Sequence, residues 1–152
     1  AGVTDLQIKI MELLIFHAPA LKLMETISKK CPVYGYRLHY VPNLYKGIRG
    51  SYHGAELVYF FNNFDKMNIL QSYKNRRQVD ILQNDWLDFI KTGNIKDREL
   101  FNKREMITDY DKEVKTAAFP HKSLIHKLEE SGLIDEVRRS YIKNMTTPTG
   151  NV

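Results

Sequence analysis

The sequence predicts an α/β chain with several helices and too few strands to close a sheet of its own. Three observations lead there. Apolar residues recur at helical spacing near both ends of the chain and between residues 73 and 91. One aromatic segment alternates with the period of a strand. A late pair of short segments flanks a polar turn, as in a hairpin. At 152 residues the expectation is a single partial domain over 1–152, with a frayed tail over 146–152.

Each element has a local cause. Thr4-Asp5-Leu6-Gln7 has the pattern of a capping box, in which the Thr oxygen and the Gln amide satisfy each other's free backbone donors. Leu6, Ile10, Leu13 and Leu14 then follow at helical spacing. Pro19 suits the first turn of a second helix, where its missing N–H costs nothing, and Leu21, Met24 and Ile27 continue it until Pro32. Val33 to Tyr40 reads as a strand, with Tyr34, Tyr36, Leu38 and Tyr40 on one face and Arg37 and His39 on the polar one. Pro42, Gly47 and Gly50 make residues 42–51 a loop, and Glu56 to Phe61 is a brief apolar helix.

The clearest helix runs from about Tyr73 to Lys91. Val79, Leu82, Trp86 and Phe89 form its apolar stripe, and Gly93 stands where a C′ glycine belongs. Lys74, Arg76, Arg77, Asp80, Asp85 and Asp88 read as its solvated face. Arg104 to Ala118 reads as two strands around Tyr110-Asp111-Lys112-Glu113, with Met106, Val114 and Ala117 pointing inward. From Pro120 onward Leu124, Leu128, Leu133, Val137 and Tyr141 mark two short helices broken by Gly132.

Composition excludes several classes. Hydrophobic residues at 43% and charged residues at 27% are ordinary for a globular protein and argue against disorder. Apolar runs such as Leu13 to Phe16 are far too short to cross a bilayer, so no membrane partner is expected. The net charge of +5 is spread along the chain, and only Lys29-Lys30 and Lys74-Arg76-Arg77 cluster. That falls short of a phosphate-binding stripe, so no nucleic-acid partner is expected either. The single cysteine, Cys31, has no internal disulfide partner, which fits a reducing compartment such as the cytoplasm.

Most familiar site chemistry is missing. There is no phosphate-binding G-x-x-x-x-G-K-[ST], no G-x-G-x-x-G, no H-E-x-x-H and no thiolate zinc set. No serine sits in a G-x-S-x-G elbow. His121 and His126 read as surface residues, His17 as a helix-end residue, and His39 has no role. His53 stands apart, because Gly50 and Gly54 flank it in a segment between a strand and a short helix. Backbone freedom on both sides can present an imidazole to a partner, and imidazole is the side chain best suited to general-base work near neutral pH. The residues alone also fit a surface histidine beside a helix start.

A resemblance bears on that choice. Gly50-Ser51-Tyr52-His53-Gly54-Ala55-Glu56-Leu57-Val58-Tyr59-Phe60-Phe61 resembles the catalytic-histidine segment of the type B carboxylesterases, the family of the para-nitrobenzyl esterases and the cholinesterases. Pro32-Val33-Tyr34-Gly35-Tyr36-Arg37-Leu38 is similar to the strand before that histidine. Asp85-Trp86-Leu87-Asp88-Phe89-Ile90-Lys91-Thr92-Gly93-Asn94 resembles its W-x-x-F-A-K-T-G-x-P-N segment, and Phe16-His17-Ala18-Pro19-Ala20 the start of the helix before the strand. Ile95 departs from the family's Pro-Asn, and its W-P-x-Y step is not legible around Leu100-Phe101-Asn102.

The resemblance implies the C-terminal part of an α/β hydrolase. In the complete protein it implies hydrolysis of small carboxylic esters by a serine mechanism, with His53 as the triad histidine. The nucleophile, acid and oxyanion glycines would belong to the N-terminal half of the hydrolase, which this chain would need as its partner. No metal or organic cofactor is implied. Glu56 matches a family glutamate at the helix start, a local hydrogen-bonding or capping residue and not the triad acid. The chain alone would be inactive. The alternative is a non-catalytic remnant or association module, self-associating through an exposed sheet edge.

Overall fold

A computed structural model describes residues 3–39, 54–61, 76–102 and 104–146. The expected loop over 42–51 and His53 lie outside the described residues, as does the tail past Thr146. The chain divides into two compact units, one from Ala1–Met24 with Phe119–Val152, the other from Glu25–Ala118.

The first unit is helical. Helix α1 (Val3–Glu12) passes through a π turn (Leu13–His17) directly into α2 (Ala18–Ile27). Thr4 therefore lies inside the first helix and does not cap it. The expected break before Pro19 is likewise absent, and the Ala18 N–H reaches back to the Leu13 carbonyl across the wider turn. Pro19 explains the widening. In a regular helix its ring would press on the carbonyl four residues back, and a π turn just before it relieves that clash. The helix closes well ahead of Pro32, where the Lys30 and Cys31 N–H groups both donate to the Ile27 carbonyl.

Helices α5 (Lys122–Glu130) and α6 (Leu133–Thr146) follow the expected outline, with Gly132 between them at φ 76°. Their buried side chains are Ile125 and Ile134, whereas Leu124 and Leu133 are exposed. In each helix the fully buried position is thus the isoleucine that follows the expected leucine.

The second unit holds a three-stranded sheet in the order β1 (Tyr36–Leu38), β2 (Met106–Tyr110), β3 (Val114–Ala118). β1 runs parallel to β2, with Arg37 opposite Asp109, and β3 returns antiparallel from a turn at 111–113. β1 starts later than the expected Val33, Tyr40 lies outside the described residues, and backbone bonds from Thr108 to Gly35 and from His39 to Tyr110 extend the pairing at each end. β2 is the central strand, so Ile107, Thr108, Asp109 and Tyr110 are all buried. Of the expected inward residues, Val114 and Ala117 are the two on β3 that are not exposed, and Val114 packs on the core. Met106 on β2 is only half-buried beside four buried neighbours. A central strand loses water on both faces, which erases the alternation that sequence reading relies on.

Helix α4 (Arg76–Thr92) covers this sheet, with Leu82 and Tyr110 at the centre and Leu38, Ile81, Trp86 and Val114 packed around them. Gly93 ends the helix at φ 71°, its N–H donating to the Phe89 carbonyl. A Cβ at Gly93 would meet nothing within 4 Å, so Gly93→Ala isolates backbone strain from crowding. It is expected to destabilise the chain by about 1 kcal/mol in urea unfolding, and no loss would remove the C′ assignment.

Candidate active site

His53 itself is outside the described residues, but the structure describes the elements on either side of it. Gly54 follows at φ 81°, a left-handed conformation that favours glycine, and α3 (Ala55–Phe61) starts at the next residue. A helix of seven residues is too short to persist unaided. Two contacts hold it to α4. The Phe60 ring meets Trp86 edge-on at 4.2 Å between centroids, and the Gln83 side-chain amide donates to the Phe60 carbonyl at 3.1 Å. Tyr36 of β1 meets the same indole at 5.9 Å. Trp86 thus touches both the strand before His53 and the helix after it.

Glu56 lies in the first turn of α3, where the helix dipole favours an acid. Its charge also reaches Tyr36. Burial first, and then Glu56, push the Tyr36 hydroxyl up to about 12.

Two buried carboxylates organise the rest of this unit. Asp85, expected on the solvated face of α4, is buried. Its Oδ2 accepts from Arg98 Nε at 2.7 Å and from the Tyr110 hydroxyl at 2.5 Å, tying α4, the following loop and β2 together. Burial opposes the Arg98 charge, but Asp85 more than offsets that and raises its pKa. Tyr110 is also pushed up, by burial and then by the Asp85 carboxylate.

Asp109 pairs with Arg37, which donates from Nη2 at 2.7 Å and Nε at 3.3 Å, and His39 Nδ1 lies 3.6 Å from Oδ1. His39 therefore has a carboxylate neighbour that its place in the sequence pattern did not suggest. Burial alone would raise the Asp109 pKa, but Arg37, His39 and Lys115 together hold it below the ordinary value of 3.8. Such a group adds stability above its unfolded pKa, and that stability is lost as pH falls through the lower folded value. Asp109→Asn is therefore expected to cost about 2–4 kcal/mol at pH 7 and less at pH 3. Urea midpoints at the two pH values check this, and an equal cost at both would contradict it.

The remaining histidines lie elsewhere. His17 is in the middle of a continuous helix and not at a helix end. Its ring stacks on exposed His121 at 5.8 Å, and Nε2 lies 3.7 Å from Glu12. His126 is half-buried, not fully solvated. No group of three or more His, Cys, Asp or Glu among the described residues is placed to hold a metal ion. No helix among them is long and apolar enough to cross a membrane.

A cavity of about 120 Å³ lies among β1, β2 and α4, walled by Tyr34, Tyr36, Trp86, Phe89, Ile95 and Tyr110, with Gly35 and Thr108 completing it.

The carboxylesterase family model matches residues 3–132, a span that includes every quoted motif and runs past Asn94, where the legible ones end. No curated protein matches the chain. Among solved structures, a PNB esterase superposes with a TM-score of 0.66 at 25% identity, covering 80% of this chain and 26% of its own. The Geobacillus stearothermophilus carboxylesterase EST55 superposes with a TM-score of 0.64 at 18% identity, covering 81% of this chain and 27% of its own. Both are esterases of the α/β hydrolase fold, and the chain spans about a quarter of their length. The expected fold, a small mixed sheet with helices from an α/β hydrolase, agrees with these likenesses.

Proposed function

The chain belongs to the carboxylesterase family, and from that premise we propose that it is the histidine-bearing, C-terminal part of a serine carboxylesterase. In this reading His53 takes the proton of an upstream serine as that serine attacks an ester carbonyl. It then returns the proton to the departing alcohol. An upstream acid holds the other ring nitrogen and so fixes tautomer and orientation. Backbone N–H groups upstream hold the oxyanion charge, which leaves no step for a metal or organic cofactor. The substrate class is small carboxylic esters.

The observation that carries the reading is the position of the His53 segment inside the matched span of 3–132. Anchoring of the next element supports it: Trp86 and Gln83 hold α3, which starts two residues after His53, against α4. The test is the complete open reading frame that contains this chain, treated with a fluorophosphonate and assayed on p-nitrophenyl acetate. Serine labelling with His53-dependent turnover is expected, and turnover independent of His53 would overturn the reading. Residues 1–152 alone are expected to hydrolyse the ester no faster than their His53→Ala variant.

A second reading, a non-catalytic association module, rests on α1. Leu6, Ile8 and Met11 expose half or more of their surface there. β1 is also paired on one side only among the described residues. Light scattering separates the readings, since a stable dimer without esterase activity from the complete frame would favour the second.

A further inference from the structure

We propose that the cavity among β1, β2 and α4 binds one neutral aromatic ring, a molecule the size of benzene, toluene or phenol. The inference is independent of the esterase reading. No wall residue is assigned to the chemistry, and all of them belong to the unit of residues 25–118.

Size comes first. The cavity is partly open to solvent, and its volume of about 120 Å³ is close to that of apolar protein cavities, on the order of 150 Å³, that take up benzene. Wall chemistry comes second. No lining residue carries a formal charge, so a carboxylate or ammonium would lose its hydration with no counter-charge in the wall. The polar tips of two wall tyrosines are already engaged, since Tyr34 donates to Asn94 and Tyr110 donates to Asp85. Their ring carbons therefore define much of the interior.

Geometry completes the argument. Tyr36 meets Trp86 at 86° and Tyr110 at 77°, and Tyr34 meets Phe89 at 76°. Rings locked nearly perpendicular to one another present both faces and edges to the space between them. An added ring finds edge-to-face partners there without rearranging the wall.

The chain supplies its own reporter, because Trp86 is its single tryptophan and stands in the wall. Toluene is titrated into the 152-residue chain while Trp86 emission is followed, with benzoate and cyclohexane in parallel. The expected result is a saturable toluene response below its solubility limit, a weaker one for cyclohexane and none for benzoate. Ile95→Phe fills the cavity and is expected to raise the half-saturation concentration at least tenfold with an unchanged circular dichroism spectrum. Should that variant fail to fold, nuclear Overhauser contacts from toluene to the Ile95 methyl groups in the unaltered chain decide the matter. A linear response to toluene would overturn the proposal, since it marks partition onto exposed apolar surface. Equal response to benzoate, indifference to Ile95→Phe in the folded variant, or absence of those contacts would each overturn it too.

Discussion

His53→Gln in the proposed complete esterase is expected to lower kcat for p-nitrophenyl acetate by about 10³-fold or more, with KM little changed. The reason lies in what the imidazole does. A serine hydroxyl is a weak nucleophile unless its proton is removed as it attacks, and glutamine cannot accept that proton at neutral pH. In the proposed reading the ester contacts belong to upstream pockets, so ground-state binding is expected to survive the change. The wild-type pH profile should carry an acidic limb, since a protonated imidazole cannot act as base, and that limb should vanish in the variant. Retention of a tenth of wild-type kcat would remove His53 from the mechanism.

Asp85→Ala is expected to be the most damaging structural change among the buried polar residues, at about 3–5 kcal/mol. The carboxylate has two partners on one oxygen, Arg98 and the Tyr110 hydroxyl. Its removal strands a guanidinium whose side chain is only 19% exposed and leaves a buried phenol without its acceptor. Asp85→Asn keeps an acceptor oxygen but loses the charge, so it is expected to cost about half as much. Urea unfolding followed by circular dichroism measures both variants. A loss below about 1 kcal/mol for Asp85→Ala would mean that the network contributes little to stability.

What sequence reading captured and missed divides along physical lines. The core contacts of Leu82 and Trp86, the stop at Gly93 and the two helices around Gly132 were legible because each is written in residues a few positions apart, whereas Phe89 of the same stripe is exposed. The hairpin was legible for the same reason, although Tyr110, expected in its polar turn, ends β2 and is buried. Asp85 was misread because nothing near it in sequence announces a partner, and Tyr110 is 25 residues away. Asp109 was missed likewise, since its partner Arg37 is 72 residues off. The π turn was missed because Pro19 satisfies two local rules equally well, starting a new helix or widening an existing one.

The candidate site shows the same division. The segment around His53, with its flanking glycines and the following Glu56-Leu57, is a local pattern, and it was enough to suggest both the family and the histidine. The sequence by itself therefore determined the family, the α/β class and the order of the elements, because these depend on spacing, turn residues and short motifs. Only the tertiary structure decided that Trp86 braces β1 and α3 together, that two carboxylates are buried with their counter-charges, and that five aromatic rings line one cavity. Those outcomes depend on which distant residues lose water together, and a linear pattern cannot carry that pairing.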